Sequence, residues 1–489
     1  MEITDLTPAE RRVWEAFPLG GRVDFRESDD DDPASGASWG PERTVRAQVL
    51  RTLLLDGPAR HGEIAGLKVI GARITGRLDL KYGITDHPIR LRSCHFTHPP
   101  NMYGARLRAL VLSDSVLPEL MAGALRVDGV LRMSRCRIAG PVRLAGAQIA
   151  GAIFLDGARL GPNPDEAEEP ALQLNHALIG NDIWAAGLVS HGRIRLNAAT
   201  VDGEVNLDDA RLHNPGGTAL NAETLSVGTD LRAMRLHAHG RVNLSGARIP
   251  RQLNLAYARL STPHDQALRA SSCVIGELWL REAAPIEGIV NLRRSQIELL
   301  HIAPETWPDR VRIDGLTYRR LAPHLPAAQR LPLLEREEGG YLPFVYEQLT
   351  TAYRTAGDEA AARTVQLAKL RRHRRTLPRY AALWGHLQDA TVGYGFRPMR
   401  AATWLLTLLL TGALAFTLHH PGPLKPDEAP DFNPLFYTVD LLLPIIDFGQ
   451  ESAYAPQGWL QWLSYALIVT GWVLATTIAA GITRSLSRQ

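Results

Sequence analysis

The most chemically loaded residues of this chain are two carboxylates in an apolar setting. Residues 432–450 read FNPLFYTVDLLLPIIDFGQ and carry Asp440 and Asp447. A carboxylate among apolar neighbours is expensive unless it meets water or a partner. Repeated around a symmetry axis, Asp447 would form an acidic ring that favours cations. The competing reading is that both carboxylates sit solvated in a merely amphipathic loop. The candidate residues for the first reading are Asp440, Pro444, Ile445, Ile446, Asp447, Phe448 and Gly449.

Local rules say what would position them. Asn433 or Asp431 can cap a short helix with Pro434 in its first turn. Pro444 stops that helix near Leu443. Beyond it, residues 445–449 run as irregular backbone, which membrane depth tolerates only when buried in protein or lining a water-filled cavity. Two uncharged apolar stretches flank the segment, residues 401–418 and 459–482. Each can cross a hydrocarbon core of ~30 Å. Trp404, Trp459, Trp462 and Trp472 include plausible interfacial anchors. Gly471, Ala475 and Ala479 lie four apart in the second stretch, a spacing that lets helices approach closely, within one hairpin or between copies.

Flanking charge sets orientation. Lys369, Arg371, Arg372, Arg374, Arg375, Arg379, Arg397 and Arg400 precede the first stretch, and Arg484 and Arg488 end the second. The connection holds one lysine, Lys425, and several acids. The positive-inside rule then puts both termini in the cytoplasm and the connection outside the inner membrane. The N-terminus has no apolar core and does not read as a signal peptide.

Other chemistry is poorly represented. The 489 residues carry a net charge of +3, which gives no reason to expect a nucleic-acid partner. There is no P-loop, no H-E-x-x-H and no G-x-G-x-x-G. Gly36-Ala-Ser38-Trp-Gly40 spells a nucleophile elbow, but an acidic, proline-containing loop precedes it rather than a strand. Cys94, Cys136 and Cys273 are distant from one another and read as small buried thiols. The acidic run at residues 29–32 reads as a solvated loop, with calcium as the alternative, and His419 and His420 read as an interfacial pair. No enzyme, cofactor or metal is expected.

Most of the chain must serve as the scaffold. Between Ile64 and Ile302 it repeats every eleven residues: Ile138, Ile149 and Leu160 share one phase, Val142 and Ile153 another. A small residue recurs at Ala147, Ala158, Ala199, Ala210, Ala247 and Ala258. Apolar-x-apolar followed by a small or glycine turn is a short strand, and the frequent glycine breaks argue against an eleven-residue helical repeat. Two units give a coil of ~22 residues, so the expectation is a β-solenoid (β-helix) with an apolar interior and an arginine- and aspartate-rich outside. The ends of such a body expose strand edges that need covering. Thr7-Pro-Ala-Glu10 is a capping box for a short helix holding Val13, Trp14 and Phe17, and a second helix is expected over residues 41–55. A helical pair is expected over residues 343–354 and 358–376, with Gly357 ending the first and Asp358 capping the second. The arginines of the second reach toward anionic headgroups or simply follow topology.

YEQLTTAYRTAGDEAAARTVQLAKLRR, then GYGFRP, then span, loop and span resembles bacterial pentapeptide-repeat proteins with a two-span ion-channel-like domain. The resemblance covers residue 343 to the end; over the solenoid it is one of architecture. The box is Gly393, Tyr394, Gly395, Phe396, Arg397 and Pro398. Residues 391–395 spell the potassium filter TVGYG, but they precede the first span, and the filter position holds PIIDFGQ instead.

The expected organisation is mainly β: a helical cap (1–60), a β-solenoid of ~11-residue units (61–305), a helical linker (306–400), and a two-helix transmembrane module with a re-entrant loop at 432–450 (401–489). The function expected is an ion-channel-like membrane protein, a cation pore formed by a homo-oligomer (a tetramer by analogy). The solenoid would regulate it through an unidentified cytoplasmic protein or small ligand. The alternative is a solenoid scaffold anchored in the bilayer, with no pore.

Overall fold

The eleven-residue period resolves into two sides of a coil. In the computed structural model, strands begin at Arg126, Leu131, Arg137, Val142 and Gln148, so steps of five and six residues alternate. The strands starting at 126 and 131 belong to one sheet, and those starting at 137 and 142 to the other. Four short strands therefore make one turn, and the body has about 11 turns. The structure describes residues 5–28, 31–58, 60–161, 170–378, 398–425, 427, 429–443 and 447–486, with backbone alone at 398, 399, 401 and 477–486.

Every strand of the body pairs in parallel with its equivalent one turn on. One interior column runs Leu67, Ile89, Leu110, Leu131, Ile153, Ile183, Val205, Leu231, Leu253, Leu278 and Leu300, all buried. Period-two alternation sends these residues inward while Arg132, Arg143 and their neighbours face out. Outside, acidic and basic residues pair across turns: Arg135 with Asp114 at 2.6 Å, Arg143 with Glu119 at 2.8 Å, Arg235 with Asp209 at 2.6 Å.

The recurring small residues lie at the corners. The Cys136 N–H donates to the Met133 carbonyl with Arg135 at φ +55°, and the Ala147 N–H donates to Leu144 with Gly146 at φ +67°. These are turns that need a left-handed third residue, which glycine accepts freely and others accept at roughly 1–2 kcal/mol. The residue after it points into the coil and is leucine at Leu125, Leu188, Leu225 and Leu236 but small at many turns. Cys94, Cys136, Ala147, Ala158 and Cys273 hold this place, and all are buried. The cysteines are thus interior residues; burial raises the Cys94 and Cys136 thiols to about 12 and Cys273 to about 11.

The sheets begin before the repeat becomes readable. Arg22–Asp24 pairs with Leu67–Ile70, and Thr44–Arg46 with Arg73–Thr75, so the first rung lies among the capping helices. Helix α1 (Pro8–Ala16) has the expected capping box, Thr7 with Glu10. Helix α2 (Ala47–Asp56) buries Val49, Leu50, Leu53 and Leu54. Residues 33–38 form a 3-10 helix entered directly from the irregular residues 31–32, so Ser38 does not sit on the strand-to-helix turn that the G-x-S-x-G letters require. Of that acidic run, Asp31 is partly buried against the buried Arg43 rather than fully solvated, Asp32 is exposed and pairs with Arg137, and residues 29 and 30 lie outside the described residues.

At the other end the last rung is Arg310–Arg312 and Thr317–Ala322. Helix α3 (Ala327–Leu334) and helix α4 (Pro343–Thr355) cover it. The Gln348 side chain donates to the Tyr318 carbonyl at 2.6 Å, and the buried Glu337 carboxylate accepts from the Ile313 N–H at 2.6 Å. Edge groups that another strand would have taken are thereby satisfied.

The chain divides into two compact units, Met1–Gly357 and Asp358–Gln489. The second opens with helix α5 (Glu359–Arg374), capped by the Asp358 carboxylate on the Ala361 N–H at 2.9 Å. Arg371, Arg372 and Arg374 occupy its last turn and Arg375 its C-cap, where positive charge suits the helix dipole.

Candidate functional site

The second unit is built around a short helix. Helix α6 (Pro398–Leu418), helix α7 (Pro434–Leu442), the single turn α8 (Gln450–Ala453) and helix α9 (Trp459–Leu486) follow in order. Helix α7 starts and stops where the sequence says: Asn433 caps it by accepting from the Leu435 N–H at 3.0 Å, Pro434 lies in its first turn, and Leu443 closes it.

Helices α6, α7 and α9 share a core of Phe416, Tyr437, Leu441, Leu442, Leu460 and Leu467. Two glycines set the approach. A methyl group on Gly412 would lie 2.5 Å from the Thr438 methyl, and one on Gly471 would lie 2.2 Å from the Leu442 carbonyl oxygen. Gly471 is therefore used for packing inside this chain. Ala475 is partly buried, and the side chain of Ala479 lies outside the described residues.

Asp440 and Asp447, alike in the sequence, are placed differently. Asp440 is buried, and its carboxylate accepts from the N–H groups of Phe448 at 2.8 Å, Gln450 at 2.9 Å and Glu451 at 3.4 Å. With both oxygens accepting from backbone donors, Asp440 clasps the returning loop to α7. Asp447 is exposed, and one oxygen accepts from the Gly449 N–H at 2.7 Å. Gly449 adopts φ +74°, which turns the chain into α8. The Phe448 ring is half exposed and stacks on Phe436 with centroids 4.9 Å apart. Pro444, Ile445 and Ile446 lie outside the described residues, as do Gly393, Tyr394, Gly395 and Arg397; Pro398 begins α6.

A second clasp escaped the sequence reading. Gln450 is buried; its side chain accepts from the Asn433 N–H at 3.2 Å and donates to the Asp431 carbonyl at 3.1 Å. Gln450 so joins both ends of the loop, while its own N–H serves Asp440. The available signal was a lone amide at the end of an apolar run. Tyr454 adds a hydrogen bond from its hydroxyl to the Pro430 carbonyl. His419 and His420 lie edge-on to Trp459 and Phe432. Among the described residues no cluster of His, Cys, Asp or Glu could hold a metal ion.

The outer face of this unit inverts the solenoid's rule. Leu406, Leu410, Leu414 and Leu418 form an exposed stripe along α6, and Trp462, Tyr465, Val469 and Trp472 another along α9. Among the described residues one helix, α9, is long and apolar enough to cross a membrane, and only 28% of its apolar stretch is buried. The described apolar run of α6, Ala402–Leu418, is shorter. Comparison with known proteins gives no matching family model, no similar curated protein and no similar solved structure.

Proposed function

We propose that the second unit is a two-span membrane module whose loop, residues 443–449, lines a cation pore in a homo-oligomer. The solenoid is then a cytoplasmic regulatory body. The observation that carries the membrane reading is the pair of exposed apolar stripes on α6 and α9. The same chain hides its leucines and isoleucines almost completely in the solenoid, so an outward apolar face here fits lipid, or another copy, as its solvent. The order helix, short helix, clasped irregular segment, helix supports a loop held at membrane depth. Asp440 and Gln450 leave Asp447 as the outward carboxylate. Around a symmetry axis Asp447 would make the acidic ring. The basic flanks of the two spans put both termini in the cytoplasm.

A second reading has its own support. Gly412 and Gly471 are consumed by contacts within the chain, so the three helices form a core that needs no second copy. In that reading the module is an anchor and the solenoid a membrane-tethered scaffold.

Planar-bilayer conductance of purified protein separates them. Cation currents are expected for wild type, with altered selectivity or conductance in Asp447→Asn. Absence of current together with a monomer by mass photometry would leave only the anchored scaffold.

A further inference from the structure

A cleft of about 400 Å3 lies within the first unit, between the last solenoid turn and helices α3 and α4. Its volume is within the range of small-molecule sites. Arg320, His324 and Arg330 line it together with Leu299, Leu325 and Ala352, and no Asp or Glu does.

Arg330 is the informative residue. It is 4% exposed, and its guanidinium donates to neutral acceptors, the carbonyls of Ile302 at 3.3 Å and Pro323 at 2.5 Å and the Tyr353 hydroxyl. Among the described residues no carboxylate pairs with it. Burial pushes its pKa below the ordinary guanidinium value, yet arginine stays charged at neutral pH. A buried charge without a counterion is unfavourable, and proteins normally supply one. Elsewhere in this protein buried charges have one: buried Arg43 meets Asp31 and buried Glu10 meets Arg46. Arg320, one residue along, is exposed and meets no carboxylate among the described residues. Leu299, Leu321, Leu325 and Ala352 give the cleft an apolar part, and the Tyr353 hydroxyl donates to the Leu325 carbonyl at 2.6 Å.

We propose that this cleft binds a small organic anion, a carboxylate or phosphate on an apolar body. The charged head takes up Arg330 and Arg320, and the body rests on Leu299, Leu325 and Ala352. Because Thr355 and Ala356 also line the cleft, an occupant reaches the end of α4, just before the second unit begins at Asp358.

Ligand-observed NMR on the full chain in nanodiscs tests this without reference to conduction, so a silent pore does not bear on it. The probes are 4-phenylbutyrate, phenyl phosphate and the neutral 4-phenylbutanamide, each corrected against empty nanodiscs. Saturable binding of one or both anions is expected, weakened about tenfold in Arg320→Gln and further in Arg330→Gln. The preferred head group then tells carboxylate from phosphate. Arg320 is exposed, so its variant folds even if the Arg330 variant does not. Equal binding of the amide, an unchanged affinity in Arg320→Gln, or no saturable binding of either anion would each overturn the proposal.

Discussion

Glu10 shows how one side chain can fasten the start of the solenoid. Its carboxylate accepts from the Thr7 N–H at 3.0 Å and from the Arg46 N–H and guanidinium at 3.0 and 2.7 Å, while fully buried. Burial alone would raise its pKa, but the hydrogen bonds from Arg46 and Thr7 and the Arg46 charge outweigh that and hold it below the ordinary 4.5. A carboxylate with a depressed folded pKa stabilises fully above its ordinary value, and that contribution is lost as pH falls through the folded value. Glu10→Gln is therefore expected to lower stability at neutral pH by about 2–3 kcal/mol. In denaturant melts the gap to wild type should narrow as pH drops below 4.5, and a gap that widens in acid would mean the assignment is wrong. The Thr7–Glu10 half of this arrangement was legible because a capping box is local. The Arg46 half was not, since the partner lies 36 residues away with nothing in its surroundings to mark it.

Among the elements, the loop after α7 depends on the Asp440 clasp. Asparagine at 440 keeps one acceptor oxygen and sets an N–H2 group against backbone donors. Asp440→Asn is expected to destabilise the loop by about 1.5–3 kcal/mol, read as faster hydrogen exchange at the Phe448, Gln450 and Glu451 amides. Asp447→Asn should leave the Phe448 and Gln450 amides protected; equal loss in both variants would mean that Asp440 is not the clasp. The bounds of α7 could be read from Asn433 and proline placement, because caps and proline act within a turn. The division of labour between the two aspartates could not, because the partners of Asp440 are main-chain N–H groups, which look the same in every sequence. The solenoid period was readable for the opposite reason: each turn repeats the same interior demand. Its first rung, at Arg22–Asp24 and Thr44–Arg46, was hidden because long excursions separate those strands.

On the scale of the whole molecule, the solenoid is held together turn by turn, each against its neighbours only. The three thiols sample it at different distances from the ends. Because burial keeps Cys94, Cys136 and Cys273 protonated, native protein should react slowly with a thiol reagent at mildly alkaline pH. In partial denaturant, pulse labelling read by mass spectrometry should reach Cys136, the central one, last. Simultaneous labelling of all three would mean that the body opens as one cooperative block.

Stacking of parallel turns also bears on how such a chain can change over generations. Each turn adds one strand spacing of ~4.8 Å to the body, and duplicating or deleting a whole turn leaves every interior column in phase. The segment between Leu160 and Leu172 already departs from the period, while Leu160 still pairs with Ser190 and Val142 with Leu172. Length in this body is thus a heritable quantity that changes in discrete steps, with the capping helices carried along unaltered at each end.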